Sequence, residues 1–138
     1  MVEEFKKRNI PIQGLGMQMH IGISASNNEI ESGMRQLAAT GLLVHISEVS
    51  ILVSDWKKDT SLVFTEELQK KQSDKYQFIA QAYKRSVPAD QRYGITVWGL
   101  SDAHSWISGF VPRDWPLLFD DNYQKKKVYT GFLNGLKK

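Results

Sequence analysis

The sequence predicts an α/β fold of four parallel strands with flanking helices. Three observations carry that expectation. Short apolar runs recur along the chain, as buried parallel strands require. Amphipathic stretches with helix-capping residues separate them. The length of 138 residues suits one domain with a core of its own. Strands alternating with helices imply a parallel sheet joined by right-handed crossovers.

Each element has its local reason. Residues 2–9 (VEEFKKRN) read as the end of a helix stopped by Asn9 and Pro11, with its beginning cut away. The first strand is IQGLGMQMHIGI, residues 12–23, mostly apolar but carrying Gln18 and His20. A helix follows over 24–41, where Ser26 and Glu29 have capping-box spacing and Gly41 supplies the C-terminal stop. Ile30, Met34, Leu37 and Ala38 fall on its apolar face. LLVHISEVSILV, residues 42–53, is the second strand, and 54–64 a loop. Thr65 caps a long helix whose inner face carries Leu68, Tyr76, Ile79, Ala82 and Tyr83. Its first turn holds Glu66 and Glu67 and its last Lys84 and Arg85, as the helix dipole favours. YGITVWGL, residues 93–100, is the third strand. After the loop 101–115 comes PLLFDD, a short fourth strand, and a last helix with Val128, Phe132, Leu133 and Leu136 inward. Lys125, Lys126 and Lys127 read as its solvated start.

Composition removes several classes. Lys and Arg number 18 against 15 Asp and Glu, so the net charge is 18 − 15 = +3, weak support for nucleic-acid binding. With no cysteine there is neither a disulfide scaffold nor thiolate chemistry. No apolar run approaches the roughly 20 residues of a membrane span. The charged start MVEEFKKRNIPI is not a signal peptide. A complete eight-fold βα barrel, at about 250 residues, does not fit.

In parallel α/β folds the working residues sit where strands give way to loops. Here that rim collects Gln18 and His20, then His45, Glu48 and Ser50, then Trp98 and Asp102, then Asp120 and Asp121. Two readings of Glu48 stay open. It is either a solvent-facing strand residue or a catalytic carboxylate hydrogen-bonded by His20, since burying a lone carboxylate is costly. Gln18 and His20, two apart, share a strand face. His20, His45 and Glu48 match no standard zinc spacing, and neither metal nor cofactor is expected. His45 falls on the face opposite Glu48 and reads as exposed. Trp98 and Trp106, with Asp102 between them, form a candidate platform for a pyranose ring, whose C–H faces suit aromatic faces. Trp56 and Trp115 read as packing residues. No glycine-rich phosphate loop occurs.

GLGMQMHI, VHISEVSI, YGITVWGLSDAHSW and PLLFDDNYQKKKVYTGF together resemble the last four strands of glycoside hydrolase family 10, mainly endo-1,4-β-xylanases. The resemblance runs over nearly the whole chain. It implies the C-terminal half, strands five to eight, of a TIM (β/α)8 barrel occupying residues 1–138. It also implies retaining chemistry on xylan, with Glu48 in Ser47-Glu48-Val49-Ser50 as nucleophile and His20 orienting it. Gln18, Trp98 and Trp106 carry over as substrate-binding residues, to which the rim reading adds Asp102. The family's acid/base Glu, in an Asn-Glu motif on the fourth strand, has no counterpart, so the chain is expected to be inactive alone. Ser50 stands where the family has an Asp that orients the histidine, and Lys127 where it often has Pro. The Lys127 change should affect little, but Ser50 favours an alternative: a non-catalytic sugar-binding or structural half-barrel, or a degenerate homologue. The missing N-terminal half is the implied partner. An open sheet with an uncovered apolar interior predicts a twofold homodimer as another route to closure. The parent enzyme is expected to be secreted or periplasmic.

Overall fold

The computed structural model describes residues 1–137, and the predicted alternation is there. Helix α1 spans Val2–Lys7, strand β1 Gly14–Gly22, helix α2 Asn27–Ala38 and strand β2 Leu43–Leu52. Helix α3 spans Glu66–Ser86, strand β3 Arg92–Val97 and helix α4 Lys127–Leu136. The strands form one parallel sheet in the order β1-β2-β3. Both expected caps are made: Ser26 Oγ accepts from the Glu29 amide and Thr65 Oγ1 from the Leu68 amide, each at 3.3 Å. Gly41, at φ +74°, turns the chain out of α2 in the left-handed region glycine favours. No helix among the described residues is long and apolar enough to cross a membrane.

Alternation within the strands decides where the core lies. Met17, Met19 and Ile21 of β1, Val44, Ile46, Val49 and Ile51 of β2, and Ile95 and Val97 of β3 face the helices. There they pack against Met34, Ala38, Tyr76, Ile79, Tyr83 and Val128. The other face is not the apolar interior expected. It is mixed, carrying Gly14, Gly16, Gln18 and His20 from β1, exposed Leu43 with His45 and Ser47 from β2, and Thr96 from β3, with Tyr93 against His45. His45 Nε2 and Thr96 Oγ1 are 2.8 Å apart across that face, so His45 is half-buried rather than free. The main apolar core falls on one side of the sheet, the side with helices, and a second small cluster of Leu52, Ile107 and Val111 lies apart from it.

The fourth strand is not formed. Residues 116–121 make only single bridges, Ser101 with Phe119 and Phe119 with Lys125. Its backbone groups are taken by other partners. Pro116 has no amide to donate, and its carbonyl accepts from the Ile51 amide at 3.1 Å and from the Tyr76 hydroxyl at 2.7 Å. The Leu117 amide donates to Asp102 Oδ1 at 2.8 Å. Lys126 Nζ donates to the Trp115 and Leu117 carbonyls at 2.6 and 2.7 Å. Lys126 is therefore buried, against the expectation of a solvated lysine cluster. Gln72, polar yet fully buried on α3, donates to the Ile51 and Trp115 carbonyls at 2.7 and 2.6 Å.

Helix α4 meets α3 through glycines. A Cβ at Gly131 would strike the Ser73 backbone, and one at Gly135 the Gln77 carbonyl and Ala80. Val128 and Phe132 join the core as expected, whereas Leu133 and Leu136 point outward. Small residues at 131 and 135 let the helices approach closely, which rotates those leucines off the contact.

Candidate active site

Glu48 sits on a bulge. Gln18 and His20 pair with Ser47 and Ser50, so β2 spends three steps where β1 spends two. Toward β3 the same happens, Ile46 and Val49 opposing Ile95 and Val97. Glu48 is thus an extra residue relative to both neighbours, and its φ is +58°. A non-glycine residue there stores roughly 1–2 kcal/mol of backbone strain. The bulge re-aims the side chain onto the polar face.

The carboxylate is held at both oxygens. Gln18 Nε2 donates to Glu48 Oε1 at 2.9 Å, and His20 Nε2 lies 3.1 Å from Oε2. An ionised carboxylate only accepts, so His20 donates through Nε2. The side chains of His20 and Glu48 keep 14% and 20% of their surface exposed. Held yet reachable, this carboxylate can act as a nucleophile or stabilise a cation.

Behind His20 the register partner is Ser50. Ser50 Oγ and His20 Nδ1 are both buried and neither has a hydrogen-bond partner among the described residues. The ring is positioned from one side only.

Aromatic side chains extend the site. Trp106 meets His20 edge-on, ring centroids 4.9 Å apart, and Phe110 at 5.1 Å. Trp98 follows the end of β3, its amide donating to the Val49 carbonyl at 3.0 Å, one residue along β2 from Glu48. Both indoles remain largely open, 39% for Trp106 and 46% for Trp98. Trp56, expected to be a packing residue, is 41% exposed and lies 6.3 Å from Trp106. Trp115 does pack, stacked on Phe64 at 4.9 Å.

Asp102 stands apart from this group. Lys126 Nζ donates to Oδ2 at 2.7 Å and the Leu117 amide to Oδ1. Its side chain is 2% exposed, so no oxygen is left for a sugar hydroxyl, contrary to the substrate-binding expectation. Burial pushes its carboxyl up to about 6, with Lys126 opposing the shift. Burial likewise lowers the Lys126 ammonium, with Asp102 opposing. The pair is a structural clamp. Asp120 is also occupied, its Oδ1 accepting from the Asn122 and Gln124 amides at 2.9 and 2.8 Å. Among the described residues no three His, Cys, Asp or Glu side chains group as metal ligands.

Comparison with known proteins places nearly the whole chain in a family. The family model described as glycosyl hydrolase family 10 covers residues 1–135. The endo-beta-1,4-xylanase Xyn10C of Cellvibrio japonicus is 37% identical over 99% of this chain, which spans 25% of that protein. An endo-1,4-beta-xylanase of Geobacillus stearothermophilus is 30% identical, with 97% of this chain and 42% of the relative covered. The solved structure of native xylanase10C from Cellvibrio japonicus superposes with a TM-score of 0.89 at 36% identity, over 99% of this chain and 31% of that one. A variant of that enzyme in complex with xylopentaose gives 0.88 at 37% identity, over 99% and 29% of the two chains. The chain spans well under half the length of these relatives, and its three parallel strands with their helices fit part of the TIM barrel the family implies. This chain belongs to glycosyl hydrolase family 10.

Proposed function

We propose that this chain is the nucleophile-bearing C-terminal half, strands five to eight, of a retaining endo-1,4-β-xylanase-like barrel. The observation that carries the reading is Glu48, held at both oxygens by Gln18 and His20 on an accessible bulge beside Trp106. Glu48 attacks the anomeric carbon of a xylosyl unit and forms a glycosyl-enzyme ester. The bond to the leaving oxygen breaks as a second carboxylic acid, supplied from outside this chain, protonates it. That group then deprotonates a water, which displaces Glu48 and restores the carboxylate. Gln18 and His20 aim the two oxygens, while Trp98 and Trp106 cover the sugar ring's C–H faces. Missing general acid catalysis costs about 10²–10⁴-fold, so the chain alone gives no useful hydrolysis.

The test is complementation. The chain is mixed with the N-terminal half of a matching barrel, and reducing ends released from xylan are assayed against Glu48→Ala. Activity well above that control is expected, and a 2-fluoro xylobioside should leave its label on Glu48 by mass spectrometry. Activity no greater than the control sinks the enzymatic reading. It leaves the sugar-binding or structural alternative, which the unpartnered Ser50 and His20 Nδ1 favour. The free edge of β1 and the segment 116–121 beyond β3 are where the N-terminal half would join. A second copy is the other candidate for those edges, and a monomer on gel filtration would exclude it.

A further inference from the structure

We infer that Trp56 is a stacking platform for a second sugar unit of the bound chain, next to the unit at Glu48. This rests on the sugar-binding reading above and extends it to a residue outside the carried-over motifs. Ser54-Asp55-Trp56-Lys57 forms a tight turn closed by the Lys57 amide donating to the Ser54 carbonyl at 3.1 Å. Both central residues are left-handed, Asp55 at φ +51° and Trp56 at φ +67°. Such turns take Asn or Gly at these positions, and a large side chain there is strained.

The strain does not come from slack in the loop. Val53 and Ser54 donate their amides to the Asp114 carboxylate, both at 3.0 Å. Asp55 Oδ1 accepts from the Ser24 amide at 3.0 Å, and Gly22 lacks the Cβ that would collide with Asp55. The turn is thus pinned to the loop that carries Asp114 and to the chain just past the end of β1. What this fixed turn delivers is an open indole 6.3 Å from Trp106, with the planes 56° apart. The two rings are walls of a corner and offer separate faces, while Trp106 in turn touches His20. A residue used only for packing would be covered, and Asn or Gly would relieve the turn. An exposed indole held at a strained position, linked through Trp106 and His20 to Glu48, fits a contact whose value lies in the ligand. The ligand class is a β-1,4-linked pyranose oligomer, whose successive C–H faces can meet successive aromatic faces.

The experiment uses the full chain labelled with 5-fluorotryptophan and titrated with xylohexaose, the four signals assigned by Trp→Phe variants. The signals of Trp56, Trp98 and Trp106 are expected to move together, while that of Trp115 stays still and reports an intact fold. Trp56→Gly should weaken xylohexaose binding about five-fold and leave xylobiose unaffected. It should also raise the melting temperature, because glycine relieves the turn. A Trp56 signal that stays fixed while Trp98 and Trp106 move overturns the inference and spares the proposed function. Signals that all stay fixed overturn the inference and leave the complementation assay to judge the enzymatic reading. A melting temperature that falls in Trp56→Gly with unchanged affinity makes Trp56 a packing residue and overturns the inference alone.

Discussion

Glu48 and Asp102 are carboxylates near the C-terminal ends of neighbouring strands, and the surroundings of each decide what it can do. Glu48 keeps a fifth of its side-chain surface, and its partners are an amide and an imidazole. Asp102 keeps 2% and is matched by the Lys126 ammonium and a backbone amide. Donors that orient a carboxylate without covering it leave it able to react. A cation in a closed pocket uses up the same group in holding the chain together. Rim position identified both residues as candidates; only their partners tell them apart.

The sharpest way to break that contrast is Glu48→Ala. In the complemented barrel it should cost on the order of 10⁴-fold in xylan hydrolysis, yet shift stability by under about 1 kcal/mol in a urea melt. Next comes Lys126→Met, which leaves Asp102 buried without its cation. A loss of about 3–5 kcal/mol is expected in the same melt, and a stability near wild type would remove the clamp from the account.

The third test is pH. Because the Asp102 carboxyl is raised to about 6 in the fold, the native state holds its proton more tightly than the unfolded chain does. Stability from this group is therefore full below about pH 4 and is lost as the pH rises through about 6. The difference corresponds to roughly 3 kcal/mol. The melting temperature of wild type should fall relative to that of Asp102→Asn, which cannot titrate, as the pH rises from 4 to 7. Parallel curves from pH 4 to 7 would contradict this. The smallest effect is expected from Ser50→Asp, which gives His20 Nδ1 an acceptor. The complemented barrel should gain about ten-fold in kcat, with KM little changed. A loss of activity would mean that Ser50 already serves the histidine.

Much of this was legible in the sequence. Gln18, His20 and Glu48 do converge, and the caps at Ser26 and Thr65 form as their spacing implies. The bulge is the exception: regular alternation puts His45 on the face opposite Glu48, whereas the extra residue brings both to one face, and only the phase slip from Val44 and Ile46 to Val49, Ile51 and Val53 hints at it. That slip marks the extra residue at Glu48. Other features depend on contacts across long separations, which local pattern does not encode. Lys126 looked like one of three solvated lysines, yet it reaches back 24 residues to Asp102. Its hydrogen bonds and those of Pro116 and Leu117 replace a strand ladder, so an apolar run that read as a strand became irregular. Trp56 has no second tryptophan near it in the sequence and gains Trp106 only through the turn that presents it.

The glycine contact between α3 and α4 also has a consequence for the order of events during synthesis. About 40 residues separate the end of α3 from the start of α4, roughly 2–8 s of elongation. Through that interval the groove beside Ser73, Gln77 and Ala80 is made but unfilled, and Val128 has yet to complete the core. Lys84 of α3 then donates to the Gly135 and Leu136 carbonyls as α4 arrives. The helical side of the sheet is sealed late, by a helix whose docking surface is mostly the absence of side chains. A nascent chain stalled within those 40 residues is the form in which chaperone binding and proteolysis should be greatest.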